Sequence, residues 1–425
     1  MSAGQIRMQN HSRLRLLLAV VTVALSAVAV CVNAGLHQSG AGADTATTFP
    51  VPANDPFYAS PANLADLPNG KVIRWRTVPA KIAFLGINVP LTAWQLAYRS
   101  NDAHDQPITS VTTLLVPTAK YTGKAASRPL IAYQTAEDST GSQCAPSYTL
   151  ETNSSVLTGQ EQSLMAEALN KGFALDVADY EGPNSGFLVG RQAAHIALDG
   201  IRAALSFAPA GFNSNTPVGA WGYSGGGHAT AWTAELQHSY APDLKILGIA
   251  FGGAPANLEN SYKQLNGGPF VGFMLGAIVG VSHGYPEWDI QSQLNAKGKA
   301  VYASVDQKCT ADFVVNVAFT NVNDLTTVPN GIDLPQNQAI ISLDNLGQNM
   351  PVAPIYDYYS LLDEAIPTAD SVALIKKYCS AGVQVIAQPV ALSEHVTLGI
   401  IKTPDVLNFL DDRFNGKPVT GACKL

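Results

Sequence analysis

The stretch Pro217-Val218-Gly219-Ala220-Trp221-Gly222-Tyr223-Ser224-Gly225-Gly226-Gly227-His228 decides how this chain folds. Residues 217–221 have the short apolar composition of a buried strand, and 229–238 follow with helical spacing. Gly222, Ser224 and Gly226 match G-x-S-x-G, a turn that holds a serine outward between a strand and a helix. The glycines are needed because the turn strains the serine backbone and brings strand and helix closer than side chains permit. A glycine-rich loop that merely packs, or binds an anion at a helix start, is the plainer alternative.

Working outward, the same alternation recurs on both sides. Strands are predicted over 89–99, 108–116, 129–133 and 173–177 before the turn, with helices over 163–170 and 191–205. After it come strands at 246–251, 354–358 and 383–389, and helices at 369–378 and 404–414. Such alternation implies a mainly parallel sheet with helices on both faces, the α/β class, and with the serine turn it implies the α/β-hydrolase fold. Between Gly253 and Pro351 the rhythm breaks into glycine-spaced apolar segments such as 270–281. The expectation is a core of residues 44–253 and 351–425, interrupted by a largely helical cap or lid at 254–350. Segment 270–281 reads as a lid or, equally, as plain packing of the cap.

A serine hydroxyl is a poor nucleophile until a base takes its proton, so Ser224 calls for a histidine and a carboxylate behind it. The order in this fold is serine, acid, histidine. Of the histidines after Ser224, His228 and His238 lie on the helix that follows it, and His283 falls in the cap. That leaves His395, in a loop after the last core strand. Asp363 is the expected acid, shortly after the strand at 354–358, with Glu364 as its competitor and Asp357 inside the strand itself. An aspartate before a helix also serves as a plain N-cap. The oxyanion hole needs two backbone N–H groups: Gly225, directly after the nucleophile, and a donor in the Glu137-Asp138 loop after the strand at 129–133.

At the amino end Arg7, Arg13 and Arg15 precede an uncharged apolar run, 16–32, and small residues around Ala34 and Ala43 follow it. This is the layout of a secretory signal peptide over 1–34, with cleavage as late as 43. An uncleaved membrane anchor from Leu16 to Val32 is the alternative, and lipidation at Cys31 lacks the small preceding residue it needs. Export leaves Cys144, Cys309, Cys379 and Cys423, an even set that implies two disulfides. None has zinc-site spacing, so neither a metal nor a cofactor is expected. The net charge of −7 becomes more negative still once the three arginines leave, which argues against nucleic acid. Charged residues make up only 13% and apolar ones 47%, which suits a well-buried enzyme with an apolar surface. A monomer is assumed.

Several further stretches resemble one family, the secretory lipases. They are Asp55-Pro56-Phe57-Tyr58, Glu137-Asp138-Ser139-Thr140, Cys144-Ala145-Pro146-Ser147, the serine turn with His228-Ala229-Thr230, and Leu265-Asn266-Gly267-Gly268-Pro269-Phe270. Leu294-Asn295-Ala296-Lys297-Gly298, Asp363-Glu364 ahead of Pro367, and Glu394-His395 continue the series in order. The resemblance implies Ser224, Asp363 and His395 as the catalytic triad and the amides of Asp138 and Gly225 as the oxyanion hole. It also implies disulfides Cys144–Cys309 and Cys379–Cys423, a pairing that spacing alone leaves open. The implied activity is hydrolysis of fatty-acid esters, including acylglycerols, through an acyl-enzyme, on a lipid or ester substrate at a lipid–water interface. One departure is that a yeast member continues past its last cysteine into a flap over the entrance, whereas this chain ends at Leu425, two residues after Cys423. A short-chain esterase or transacylase, a serine peptidase, and a binding protein with a relic site are the other readings.

Overall fold

The computed structural model describes residues 49–424, with 85, 86, 153 and 155 excepted. The signal-peptide and anchor readings therefore fall outside the described residues. No described helix is long and apolar enough to cross a membrane.

Nine strands form the main sheet: β1 (Val72–Val78), β2 (Leu91–Asn101), β3 (Pro107–Pro117), β4 (Leu130–Gln134), β5 (Ala174–Ala178), β6 (Val218–Tyr223), β7 (Ile246–Gly252), β8 (Ile355–Ser360) and β9 (Val385–Val390). Their spatial order is β1-β2-β3-β5-β4-β6-β7-β8-β9. The first three strands pair antiparallel with one another and with β5, and all pairings from β5 to β9 are parallel. Parallel strands must hide both faces, and β4, β5, β6 and β8 are buried along their whole length. Alternate residues serve opposite cores. Ile131, Tyr133, Trp221 and Tyr223 face a core shared with helices α1 (Val156–Asn170) and α6 (Thr403–Phe414), through Leu164, Leu169, Leu410 and Phe414. Ala132, Val218 and Ala220 face the other way, toward α2 (Gly190–Ser206), α3 (Gly225–Tyr240) and α5 (Thr368–Ser380).

The chain visits β4, steps to β5 on one side, and returns as β6 on the other, so the strand order reverses around β4. Crevices form outside the carboxyl ends of strands at such a reversal. The loop after β4 and the turn after β6 therefore lie side by side.

The long segment between β7 and β8 contributes no strand to the main sheet. It is mainly helical, with α4 (Val271–Gly284) at its centre, and has its own apolar cluster of Val271, Leu275, Val279, Trp288 and Phe313. Glycines recur every fourth residue of α4. At Gly280 a Cβ would lie 2.5 Å from the Phe187 nitrogen, so only glycine lets this helix approach the Phe187 backbone so closely. Disulfides join Cys144 to Cys309 and Cys379 to Cys423, the first tying this segment to the loop region after β4.

Two local expectations differ from the structure. Strand β1 lies in a stretch not assigned to any element, because Arg74 and Arg76 interrupt its apolar pattern and Trp75 is half exposed at the sheet edge. Those arginines hold the segment Asp55–Ala59. Arg74 donates to the carbonyls of Phe57 and Ala59, and Arg76 pairs with Asp55 at 2.6 Å while lying 4.2 Å over the Phe57 ring. The other difference is His395, which opens a short helix, His395–Ile401, rather than lying in a loop. Glu394 makes that helix possible, its carboxylate accepting from the Val396 and Thr397 amides at the N-cap.

Candidate active site

The serine turn is built as steric necessity requires. Ser224 has φ 56° and ψ −123°, a conformation that costs a non-glycine residue on the order of 1–3 kcal/mol. Its N–H donates to the Gly252 carbonyl at 2.9 Å, so β7 helps hold the strain. A Cβ at Gly222 would fall on the Gly226 carbonyl oxygen, and one at Gly226 on the Gln134 carbonyl oxygen. Both sites therefore exclude every side chain.

Three groups from separate strand ends form one hydrogen-bonded chain. Ser224 Oγ lies 2.8 Å from His395 Nε2, and His395 Nδ1 lies 2.9 Å from Asp363 Oδ2. The other Asp363 oxygen accepts from the amides of Ala365 and Ile366 at 3.0 and 2.8 Å, which fixes the carboxylate plane. The competitor Glu364 has a different place, accepting the His395 backbone N–H at 3.0 Å. Asp357 stays buried within β8. Tyr223, just before the serine, donates its hydroxyl to the His395 carbonyl. The other histidines after Ser224 lie elsewhere: His228 bonds the Asp344 carbonyl, His283 meets Asp306, and His238 is exposed.

Burial by itself would depress the His395 imidazole. The Asp363 charge and hydrogen bond, helped by Glu364 and Asp138, outweigh it and raise the pKa to about 9.

The loop after β4 brings Asp138 beside the serine, with φ 49° and its carboxyl against Gly225. Gly225 opens α3, so its N–H has no acceptor one turn earlier in the helix. Thr310, from the segment between β7 and β8, donates its hydroxyl to the Asp138 carbonyl, and its amide donates to Ser139 Oγ at 3.1 Å. The Cys144–Cys309 bond sits directly beside this clip. Burial pushes the Asp138 carboxyl up to about 7 despite the opposing His395 charge, and raises Glu137 and Glu181 behind it well above the carboxylate range. Sequence reasoning missed Thr310 and the Glu364 amide contact. Only the Glu394 N-cap had a local signal, an acidic residue directly ahead of a helical run.

A pocket opens at the serine, lined by Asp138, Ser224, Gly225 and His395 at its base. Phe187, Leu258, Phe273, Met274, Ile278 and Trp288 are among its apolar walls. Among the described residues no His, Cys, Asp and Glu group could hold a metal ion.

A mainly parallel sheet flanked by helices, with a serine turn beside an apolar pocket, defines an α/β-hydrolase, and with lipases among its relatives the chain is a carboxylic ester hydrolase. The model of the secretory lipase family matches residues 148–422, and the chain belongs to that family. A secreted triacylglycerol lipase of Malassezia restricta is 34% identical over 386 residues, covering 87% of this chain and 81% of the relative. A Mycobacterium tuberculosis protein named a probable inactive lipase is 35% identical over 378 residues, covering 87% and 84%. The crystal structure of Candida antarctica lipase A in its closed state superposes with a TM-score of 0.81 at 30% identity, covering 88% of this chain and 89% of that one.

Proposed function

We propose that this carboxylic ester hydrolase is an exported enzyme that cleaves fatty-acid esters, acylglycerols among them, by two-step acyl transfer. The continuous hydrogen-bonded chain Ser224–His395–Asp363 at the foot of an apolar pocket carries the reading. His395 takes the Ser224 proton as Oγ attacks the ester carbonyl. The developing oxyanion is held by the backbone N–H groups of Asp138 and Gly225. The tetrahedral adduct collapses as His395 returns the proton to the leaving alkoxide, giving an acyl-enzyme and a free alcohol. His395 then deprotonates water, which attacks the acyl carbon and releases the acid. Asp363 holds the imidazole in the right tautomer and stabilises its charged form.

The segment 254–350 acts as the cap and supplies most of the acyl-pocket walls. Helix α4 turns Phe273, Met274, Ala277, Ile278 and Val281 to the pocket while Gly280 rests on the Phe187 backbone, which favours a fixed wall over a swinging lid. The apolar lining supports an acyl chain over a peptide.

The relative named a probable inactive lipase makes catalysis the point to test. Ser224→Ala is expected to lower hydrolysis of p-nitrophenyl esters by ~10⁴-fold or more and to abolish labelling by a fluorophosphonate, with folding retained. Retention of most activity would remove the assignment, and Ser224-dependent cleavage of amides in place of esters would move it to a peptidase.

A further inference from the structure

We propose that Glu137 and Glu181 share one proton, and that this pair positions Asp138 as an oxyanion donor and sets the alkaline limit of acyl transfer. The inference deepens the reaction proposed above and rests on it.

Asp138 is the residue that must be held. It is not a glycine, yet its φ is 49°, a conformation that persists only where the surroundings over-determine it. Groups distant in the chain fix the loop on either side. The Tyr180 hydroxyl donates to the Thr135 carbonyl at 2.8 Å, the Ala136 amide to Glu161 Oε1 at 2.8 Å, and the Thr140 amide to the Lys308 carbonyl at 3.0 Å. Glu181, three residues past β5, reaches both neighbours of Asp138. Its Oε1 accepts the Ser139 amide at 3.3 Å, and its carboxyl is hydrogen-bonded to the Glu137 side chain. One carboxyl thus brackets the donor residue, through a side chain on one flank and the main chain on the other.

The bracket needs a proton. Ionised carboxylates only accept, so two of them hydrogen-bond to each other only when one is protonated. Glu137 is 5% exposed and Glu181 1%, and Glu137 Oε2 and Glu181 Oε2 find no donor among the other described groups. Burial raises both carboxyls well above their usual range. Asp179 adds to the effect at Glu137, and Glu137 itself and then Asp138 add to it at Glu181. Glu161 from α1 and Tyr180 beside Glu181 complete the ionisable surroundings, and His395 acts on Asp138.

When the shared proton leaves, two carboxylates face each other in a buried site, and one of them must move. Either movement releases a flank of Asp138 and lets its N–H turn away from the oxyanion. Acyl transfer therefore needs His395 neutral and the pair protonated at the same time, and the rate falls again beyond the plateau that His395 sets.

The test is single-turnover acylation of the full chain by a soluble p-nitrophenyl ester across the pH range, with circular dichroism read at each pH. Glu181→Ala removes both bonds and is expected to slow acylation by ~10–100-fold with KM little changed, as for a misplaced oxyanion donor. In Glu181→Gln the amide N–H donates to the Glu137 carboxylate and the amide oxygen still accepts from Ser139, with no proton to lose. It should recover about tenfold over Glu181→Ala, and its alkaline fall should move up by about one pH unit or more. Glu137→Gln, whose amide donates to the Glu181 carboxylate, should give the same shift and serves if Glu181→Gln fails to fold. An alkaline limb that stays at the parent's position in both glutamine variants, an alanine variant that raises KM at an unchanged acylation rate, or a parent whose alkaline fall coincides with loss of circular dichroism would each overturn the proposal. An active Ser224→Ala would remove the reaction reading and this proposal together, whereas an inactive one beside an unmoved limb would overturn the pair alone.

Discussion

Replacing Asp363 by asparagine keeps the shape of the acid and removes its charge, and the structure sets how much should be lost. His395 is held at about 9 against an ordinary value near 6.5, although burial pulls it the other way. At 1.4 kcal/mol per pH unit, the surrounding carboxylates favour the imidazolium by a net of about 3 kcal/mol, and Asp363 is the first among them. In the proposed mechanism the transition state contains that imidazolium, so losing the charge is expected to cost on the order of 100-fold in kcat/KM. An amide facing Nδ1 also permits the wrong tautomer, which brings the total toward ~10⁴-fold. The assay is kcat/KM for a soluble p-nitrophenyl ester from pH 5 to 10. In the parent the rate should climb about tenfold per unit as His395 loses its proton and level off near pH 9. In Asp363→Asn the climb should end well below 9, because burial then opposes only the weaker contributions of Glu364 and Asp138. An acid limb that stays near 9, or a loss under tenfold, would refute this account of the site.

Two further outcomes follow from the surroundings of the triad. Thr310→Val removes the hydroxyl that clips the Asp138 carbonyl, and single-turnover acylation should slow by ~10–100-fold with KM little changed, as for a misplaced oxyanion donor; an intact kcat would limit Thr310 to packing. Asp138, Asp176 and Asp179 are raised by burial to about 7 and Asp344 to about 8, so the native state holds protons that the unfolded chain releases near pH 4. Their stabilising contribution is full below the unfolded value and is lost as pH rises through 7 to 8, so calorimetric Tm should fall between pH 4 and 8, and Asp176→Asn should flatten that fall. A Tm that climbs over the same range would contradict it.

Much of the fold was legible because its signals are local. Strand and helix periods placed eight of the nine sheet strands within a few residues, and β1 escaped because a strand at an exposed edge need not alternate when arginines anchor another segment. The serine turn was legible from its motif, since a side chain at Gly222 would strike the Gly226 carbonyl four residues on, although Gly226 itself is closed by the Gln134 carbonyl of β4. The partners of the serine were legible only as candidates. Asp357, Asp363 and Glu364 lie within eight positions, and nothing local separates an acid that will reach the Nδ1 of His395 from one that will reach its backbone.

The sequence by itself determined what depends on neighbours a few residues apart: the α/β alternation, the strained serine turn, the even cysteine count and the order of the candidate groups. The tertiary structure decided what depends on groups far apart in the chain. It chose Asp363 for the imbalance of charge at His395, set Thr310 against Asp138 from 172 positions away, and paired Cys144 with Cys309 across 165. Backbone conformation is chosen by short-range sterics and periodicity. Hydrogen-bond partners, desolvation and exposure are chosen by packing between segments, and only the folded sheet brings those segments together.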